Sequence, residues 1–369
     1  MSEPQPPVKK PRRRLSARKR LLFALLTLGV LFGVPEAFCQ VREVVRASRK
    51  PRLPVEDCPY RITRLTPGAR VVREGQTISI NSLGLRGPEV TPEKPPGALR
   101  VACVGASTTF GLYAKDDAST WPAMLERRLR SAGGAGRAVE VLNCGAPGWT
   151  SRASLTNLEM VVFGLKPDVV VVYHNHNDLL ENRQLRYQQD SRVEDWHDLY
   201  RHQPVDLLNH SALFRLISGQ FRAPYSQLIE KAPALDPEGT AAFERNLRRL
   251  VRRCQEQGAK VLLCTYPRSY RDTLAESEAA KVPELERWYG STCPLEYPAF
   301  MEGLRLYDTI VQKVGADAKV PVVDLVNLVP NDVALYVSPI HHSEAGEEKV
   351  SGFVADALLE HRLLEPGHP

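Results

Sequence analysis

From residue 98 onward the chain repeats one pattern five times: a short, largely apolar run, a few small or polar residues, then an amphipathic stretch. The runs cover 99–104, 139–143, 168–174, 260–265 and 321–325. They show little polar alternation, as expected of strands covered on both faces. Between them, 120–132, 151–164, 237–257 and 297–315 read as helices. A last helix over 343–361 opens on Ser343 followed by acidic residues, a capping pattern. Strands alternating with helices predict a parallel sheet with helices on both faces. The stretch from about 180 to 233 is too long for a simple crossover. It holds Trp196, His197, Tyr200, His202 and Tyr225, and is expected to form a lid or substrate wall.

The first 97 residues are of a different kind. Eight Lys/Arg against Glu3 lie in residues 1–20, out of 49 basic and 43 acidic side chains in all, so the remainder of the chain is close to neutral. The basic run could serve as a nucleic-acid arm if taken alone. It abuts a largely apolar segment, Leu21 to Val34, and that context favours a membrane topology signal with no nucleic-acid partner. The segment, taken as 21–38, reads as an uncleaved anchor or a signal peptide. Either reading puts the following residues outside the cytoplasm, in the periplasm or at the cell surface, with the basic tail inside. Residues 39–97 are Pro-rich and read as a connector. Asn81-Ser-Leu-Gly-Leu-Arg-Gly87 within it is expected to dock as a turn on the main domain, 98–365. The seven cysteines follow no zinc spacing, and an odd number leaves at least one without an intrachain partner.

Four segments fall at or near the carboxyl ends of the predicted strands, where doubly wound proteins place their chemistry. Gly105-Ala-Ser-Thr-Thr-Phe-Gly111 puts Ser107 on a small-residue turn, its hydroxyl exposed and the adjacent backbone N–H available to an oxyanion. Asn143-Cys-Gly-Ala-Pro-Gly-Trp-Thr-Ser151 carries Gly148. Tyr173-His-Asn-His-Asn-Asp-Leu179 carries Asn177. Ser338-Pro-Ile-His-His-Ser-Glu-Ala-Gly346 carries His341 and His342, of which at most one can face Ser107. A serine reached by a distant histidine is the basis of nucleophilic acyl chemistry. Each residue also has a plain structural reading. Ser107 could be a helix N-cap, Gly148 a turn glycine, and Asn177 with Asp178 a cap on the next helix. His174 and His176 share a face of a strand, and with His341 they could make a three-histidine metal set. A satisfied histidine is the commoner outcome, and no metal is expected. Gly105–Gly111 lacks the lysine and spacing of a phosphate loop, so no nucleotide cofactor is expected either.

Together, in this order, the four segments resemble the blocks of the SGNH (GDSL-like) hydrolase superfamily over about residues 99–361, and the Asn81–Gly87 segment behind a single anchor looks like membrane-anchored bacterial members. The resemblance implies a flavodoxin-like three-layer α/β/α sandwich with a five-stranded parallel sheet. It also implies that Ser107 is the nucleophile and His341 the general base. The Ser107 and Gly148 N–H groups and the Asn177 side-chain amide would then form the oxyanion hole. The chain departs from the family pattern at two positions. The first block reads Gly-Ala-Ser where the family has Gly-Asp-Ser. More seriously, Ser338 stands three residues before His341, where the family usually has an aspartate to hold the imidazole. Three readings stay open: a Ser–His dyad with Ser338 orienting the ring, another acid such as Asp324 or Asp332, or a catalytically dead site.

The expected function is a serine-dependent ester hydrolase acting on O-acyl or O-acetyl groups of envelope glycans or on lipids. The alternatives are an acyltransferase in polysaccharide modification and a non-catalytic glycan-binding domain, the latter motivated by Ser338.

Overall fold

The computed structural model describes residues 16–49, 53–58, 62–73, 75–133, 136–193, 211, 213, 231–269 and 293–365. Trp196, His197, Tyr200, His202 and Tyr225, the residues of the expected lid, lie outside the described residues. The chain divides into two compact units, one comprising Met1–Lys50 and Val205–Ala223, the other Pro51–Pro204 and Pro224–Pro369.

In the first unit, helix α1 (Ala17–Leu28) passes through a wide π-turn (Gly29–Gly33) into α2 (Val34–Arg49). Pro35 therefore does not break the helix. Proline has no N–H to donate and its ring crowds the preceding turn, and a π-turn just before it absorbs both defects. Among the described residues, Ala17–Arg42 is a helix long and apolar enough to cross a membrane.

The second unit begins with two antiparallel hairpins, β1 (Val55–Cys58) with β2 (Ile62–Leu65) and β3 (Arg70–Arg73) with β4 (Gln76–Ser79). The central sheet is β5 (Leu99–Gly105), β6 (Val139–Asn143), β7 (Val169–Tyr173), β8 (Lys260–Cys264) and β9 (Val322–Val323), in the order β6-β5-β7-β8-β9 and parallel throughout. This is the flavodoxin-like order. All of β5 and β7 is buried, which explains why these runs carry no polar alternation. The edge strand β9 is only two residues long, because Asp324 turns the chain at once into a short helix, Leu325–Leu328.

The helices over the sheet include α3 (Ser107–Phe110), α4 (Trp121–Ser131), α5 (Ser151–Asn157), α6 (His176–Leu180), α7 (Leu185–Asp190), α8 (Pro237–Glu256), α9 (Tyr297–Ala318), α10 (Leu325–Leu328) and α11 (Glu344–Glu360). α4 packs on β6 and α11, while α8 packs on α5, α9 and β8, giving the two outer layers. Ser343 caps α11 by accepting from Gly346 N. The expected helix over 151–164 is α5 followed by a π-turn and a 3-10 turn.

Two glycines bring the elements of the carboxyl edge together. A Cβ on Gly105 would lie 2.8 Å from the Tyr173 carbonyl of β7 and closer still to Thr109. A Cβ on Gly145 would lie 2.6 Å from the Phe110 amide nitrogen and 2.9 Å from the Ala106 carbonyl. Gly164, by contrast, faces open space at an ordinary φ. Gly145→Ala should therefore destabilise the protein by about 1–3 kcal/mol through overpacking, and Gly164→Ala should be neutral or slightly stabilising. Thermal melts of the two variants check this, and a Gly145→Ala melting temperature equal to wild type contradicts it.

Candidate active site

In the 2-1-3-4-5 strand order, the connections leaving β5 and β7 run to opposite faces and open a crevice at their carboxyl ends. Ser107 stands there as the first residue of α3, directly after Ala106 (φ −101°, ψ −146°). α3 ends on Gly111 at φ +77°, a left-handed position that suits glycine. Ser107 is largely buried.

The last segment reaches the same crevice from the other end of the chain. Tyr336 and His342 pair as an antiparallel bridge around the turn Ser338-Pro-Ile-His341. Gly346 lets α11 start against this turn, since a Cβ there would meet the Leu335 carbonyl at 2.1 Å. Within the turn the two histidines separate. His341 Nε2 lies 2.8 Å from Ser107 Oγ, whereas His342 Nε2 lies 3.1 Å from the Tyr173 hydroxyl. The Tyr113 ring packs against His341, centroids 5.0 Å apart.

Ser338 Oγ is 2.6 Å from His341 Nδ1. The same oxygen accepts from the His341 backbone N–H at 3.3 Å. Neither Asp324 nor Asp332 is brought to this ring. The Asp324 carboxylate accepts from Thr265 Oγ1 at 2.9 Å and from Asn327 Nδ2 at 2.6 Å. Asp332 caps a 3-10 turn by accepting from Ala334 N at 3.0 Å. Both candidate acids thus have other partners, and a hydroxyl fills the position beside Nδ1.

The two remaining segments are tied to the Ser107 turn. Asn143 Nδ2 donates to the Phe110 carbonyl at 3.3 Å and Ala146 N to the Gly105 carbonyl at 3.3 Å. Gly148 is exposed at φ +79°, and its N–H donates to no group among the described residues. Asn177, in the first turn of α6, donates one amide hydrogen to the Trp149 carbonyl at 3.0 Å, which fixes it to the Gly148 loop. Asp178 beside it accepts from the Ser151 N–H and hydroxyl and from the Tyr187 hydroxyl, so it anchors the start of α5. His174 turns to Ser154, 2.8 Å from Nε2 to Oγ. No group of three His, Cys, Asp or Glu among the described residues is arranged to hold a metal ion.

With this geometry in place, the chain can be set beside known proteins. The model of the GDSL-like lipase/acylhydrolase family matches residues 103–349. The chain belongs to this family. This GDSL-like acylhydrolase is an ester-hydrolysing enzyme. No curated protein matches it. Among solved structures, it is similar to a lipase/acylhydrolase from Enterococcus faecalis (18% identity, covering 73% of this chain and 100% of that one, TM-score 0.44). It is also similar to the acetyl xylan esterase AlAXEase (16% identity, 70% and 100% covered, TM-score 0.42) and to TesA (18% identity, 70% and 97% covered, TM-score 0.41).

Sequence reasoning passed over Tyr113, which shields the His341 ring; no periodicity marks it, because it lies in a turn. Burial sets the electrostatics of the acylhydrolase crevice. Desolvation pushes the imidazoles of His174 and His341 down to about 3 and those of His176 and His342 down to about 4. Burial also raises Asp178 to about 6 and Glu347 to about 8.

These shifts act on stability in opposite senses. Below pH 6.5 the unfolded chain protonates the four histidines while the fold keeps them neutral, so their effect is a loss of stability as pH falls towards 4. Asp178 and Glu347 hold protons in the fold that the unfolded chain has released. Their contribution is full below the ordinary carboxylate range and is lost as pH rises through about 6 and about 8. The four imidazole shifts are together larger than those of these two carboxylates, and stability should fall from pH 7 to pH 5. Urea unfolding at both values reads this directly, and a midpoint that is flat or higher at pH 5 contradicts it.

Proposed function

We propose that the enzyme cleaves esters by a Ser107–His341 mechanism in which Ser338 takes the place of the usual acid. The observation that carries this reading is the unbroken line from Ser338 Oγ to His341 Nδ1 (2.6 Å) and from His341 Nε2 to Ser107 Oγ (2.8 Å). Ser338 Oγ already accepts the His341 backbone N–H. A second lone pair is left for an Nδ1–H, and that tautomer makes Nε2 the acceptor facing Ser107.

Ser107 Oγ attacks the ester carbonyl as its proton passes to His341 Nε2. The Ser107 and Gly148 N–H groups and the second amide hydrogen of Asn177 receive the oxyanion. The imidazolium then protonates the departing alcohol, leaving an acyl-serine. Water, deprotonated by the same histidine, attacks the acyl carbon and releases the acid. Without a carboxylate the imidazolium gains only the dipole of the Ser338 hydroxyl, so the chemical step is slower than in an acid-assisted triad.

An apolar helix of membrane-crossing length precedes the catalytic unit. It supports an anchor or signal segment that places the enzyme outside the cytoplasm, with O-acyl groups of envelope glycans or lipids as its substrate class.

The test is turnover of p-nitrophenyl acetate by the detergent-solubilised full chain. Ser107→Ala and His341→Ala should each lose at least about 10³-fold in kcat. Ser338→Ala should lose about tenfold, its fold intact, because the ring is no longer held in one tautomer. Because burial keeps His341 neutral to about pH 3, kcat/KM should stay level from pH 8 to about pH 5 rather than fall near 6.5. Wild-type turnover in Ser107→Ala rules the mechanism out. Acyl transfer that occurs only when an acceptor alcohol is added would instead make the enzyme a transferase.

A further inference from the structure

The turn that carries Ser107 is a weak element by itself. α3 is four residues long, and so short a helix cannot offset the cost of its own nucleation. Its last carbonyls have no intrahelical partner. Ser107 O already accepts from both Gly111 N and Leu112 N at 3.0 Å. Phe110 O accepts from Asn143 Nδ2 at 3.3 Å and Gly111 O from Ala114 N at 3.0 Å, and the two carbonyls also share one further donor. Arg86, from the Asn81–Gly87 turn, gives Nη1 to Phe110 O at 2.9 Å and to Gly111 O at 2.6 Å. Its Nε donates to Asp117 at 2.9 Å, and the guanidinium lies 4.7 Å over the Phe110 ring. Its backbone N–H donates to the Asn143 carbonyl at 3.3 Å, at the start of the Gly148 segment.

Arg86 is only 4% exposed. Burying a guanidinium is costly unless its donors are matched. Nε and Nη1 are matched here to a carboxylate and two carbonyls, while the buried Nη2 has no hydrogen-bond partner among the described residues; a lysine, donating from one point, cannot reproduce this spread of bonds.

We propose that Arg86 is a positioning residue of the ester-cleaving site. It sets the Ser107 turn and, through Asn143, the Gly148 loop in one frame, so that nucleophile and oxyanion donors keep their relative geometry. This rests on the reading of Ser107 as nucleophile. The residues before the sheet thereby become part of the catalytic machinery rather than a spacer. A shift of about 1 Å in a nucleophile or its donors costs on the order of 10²-fold in rate while leaving substrate affinity nearly unchanged.

Arg100 is an internal control. It is equally buried, and it staples Thr91, Pro92, Leu165 and Glu140 together at the amino end of β5, away from the site.

The experiment compares Arg86→Ala, Arg86→Lys, Arg100→Lys and Ser107→Ala in the detergent-solubilised full chain. It measures kcat and KM for p-nitrophenyl acetate and the rate of Ser107 labelling by a fluorophosphonate, well below each variant's melting temperature. Arg86→Ala should lose about 10²-fold in kcat and in labelling rate with KM within about twofold. Arg86→Lys should lose about tenfold. Arg100→Lys should melt earlier but keep wild-type kcat. If Arg86→Ala does not fold, Arg86→Lys decides. A folded Arg86 variant with kcat and labelling within about twofold of wild type overturns the proposal, as does an equal loss in Arg100→Lys. Wild-type turnover in Ser107→Ala is a separate failure, that of the nucleophile itself.

Discussion

The close approach of strand ends at the carboxyl edge of the sheet is the constraint on which the site depends. Gly105 finishes β5 beside the Tyr173 carbonyl of β7, and Gly145 passes under the Ser107 turn against Phe110 and Ala106. Any side chain at either position would push the segments apart. Because β5 lies between β6 and β7, the loops after all three strands emerge within reach of one another. The segments carrying the serine, Gly148 and Asn177 are consequently brought to one edge by the strand order. Only the imidazole must be delivered from a distance, by the turn before α11.

Burial determines how that imidazole behaves. Taking His341 out of water favours its neutral form, which suits a base that must begin unprotonated. The same burial makes the imidazolium expensive, and an aspartate beside Nδ1 is the usual compensation. Here Ser338 fills that position at 2.6 Å. A hydroxyl can orient the ring but supplies no charge. The proposed chemistry therefore leans more heavily on geometry, which gives weight to the groups that hold the Ser107 turn, Arg86 among them. Because Arg86 comes from the residues before the sheet, the hairpins and the Asn81–Gly87 turn belong physically to the catalytic unit.

Much of the fold was legible in the residue pattern because it depends on local rules. Unalternating apolar runs read as strands covered on both faces, and the runs over β5, β6, β7 and β8 match the observed strands to within two residues at each end. The last run, 321–325, was too long, because Asp324 turns the chain into α10 after two paired residues. Pro35 lies inside the expected segment 21–38, and a π-turn ending two residues before it carries the helix past it.

The order of the four motifs, and the approach of one histidine of the pair to Ser107, were written in the chain, because glycine spacing and strand ends restrict where such residues can lie. What stands beside His341 was not. Ser338, Asp324 and Asp332 are all within reach along the sequence, and the choice turns on where two carboxylates find nearer partners, Thr265 and Asn327 for one and the Ala334 N–H for the other. The Arg86 clamp was likewise invisible, since its acceptors are backbone carbonyls 24 and 25 residues away. Sequence by itself determined the sheet, the family and the candidate nucleophile, which follow from periodicity and motif. Tertiary structure decided the hydrogen-bond partners of the site, because backbone acceptors carry no residue-specific signal and competition among carboxylates is settled only when the chain has packed.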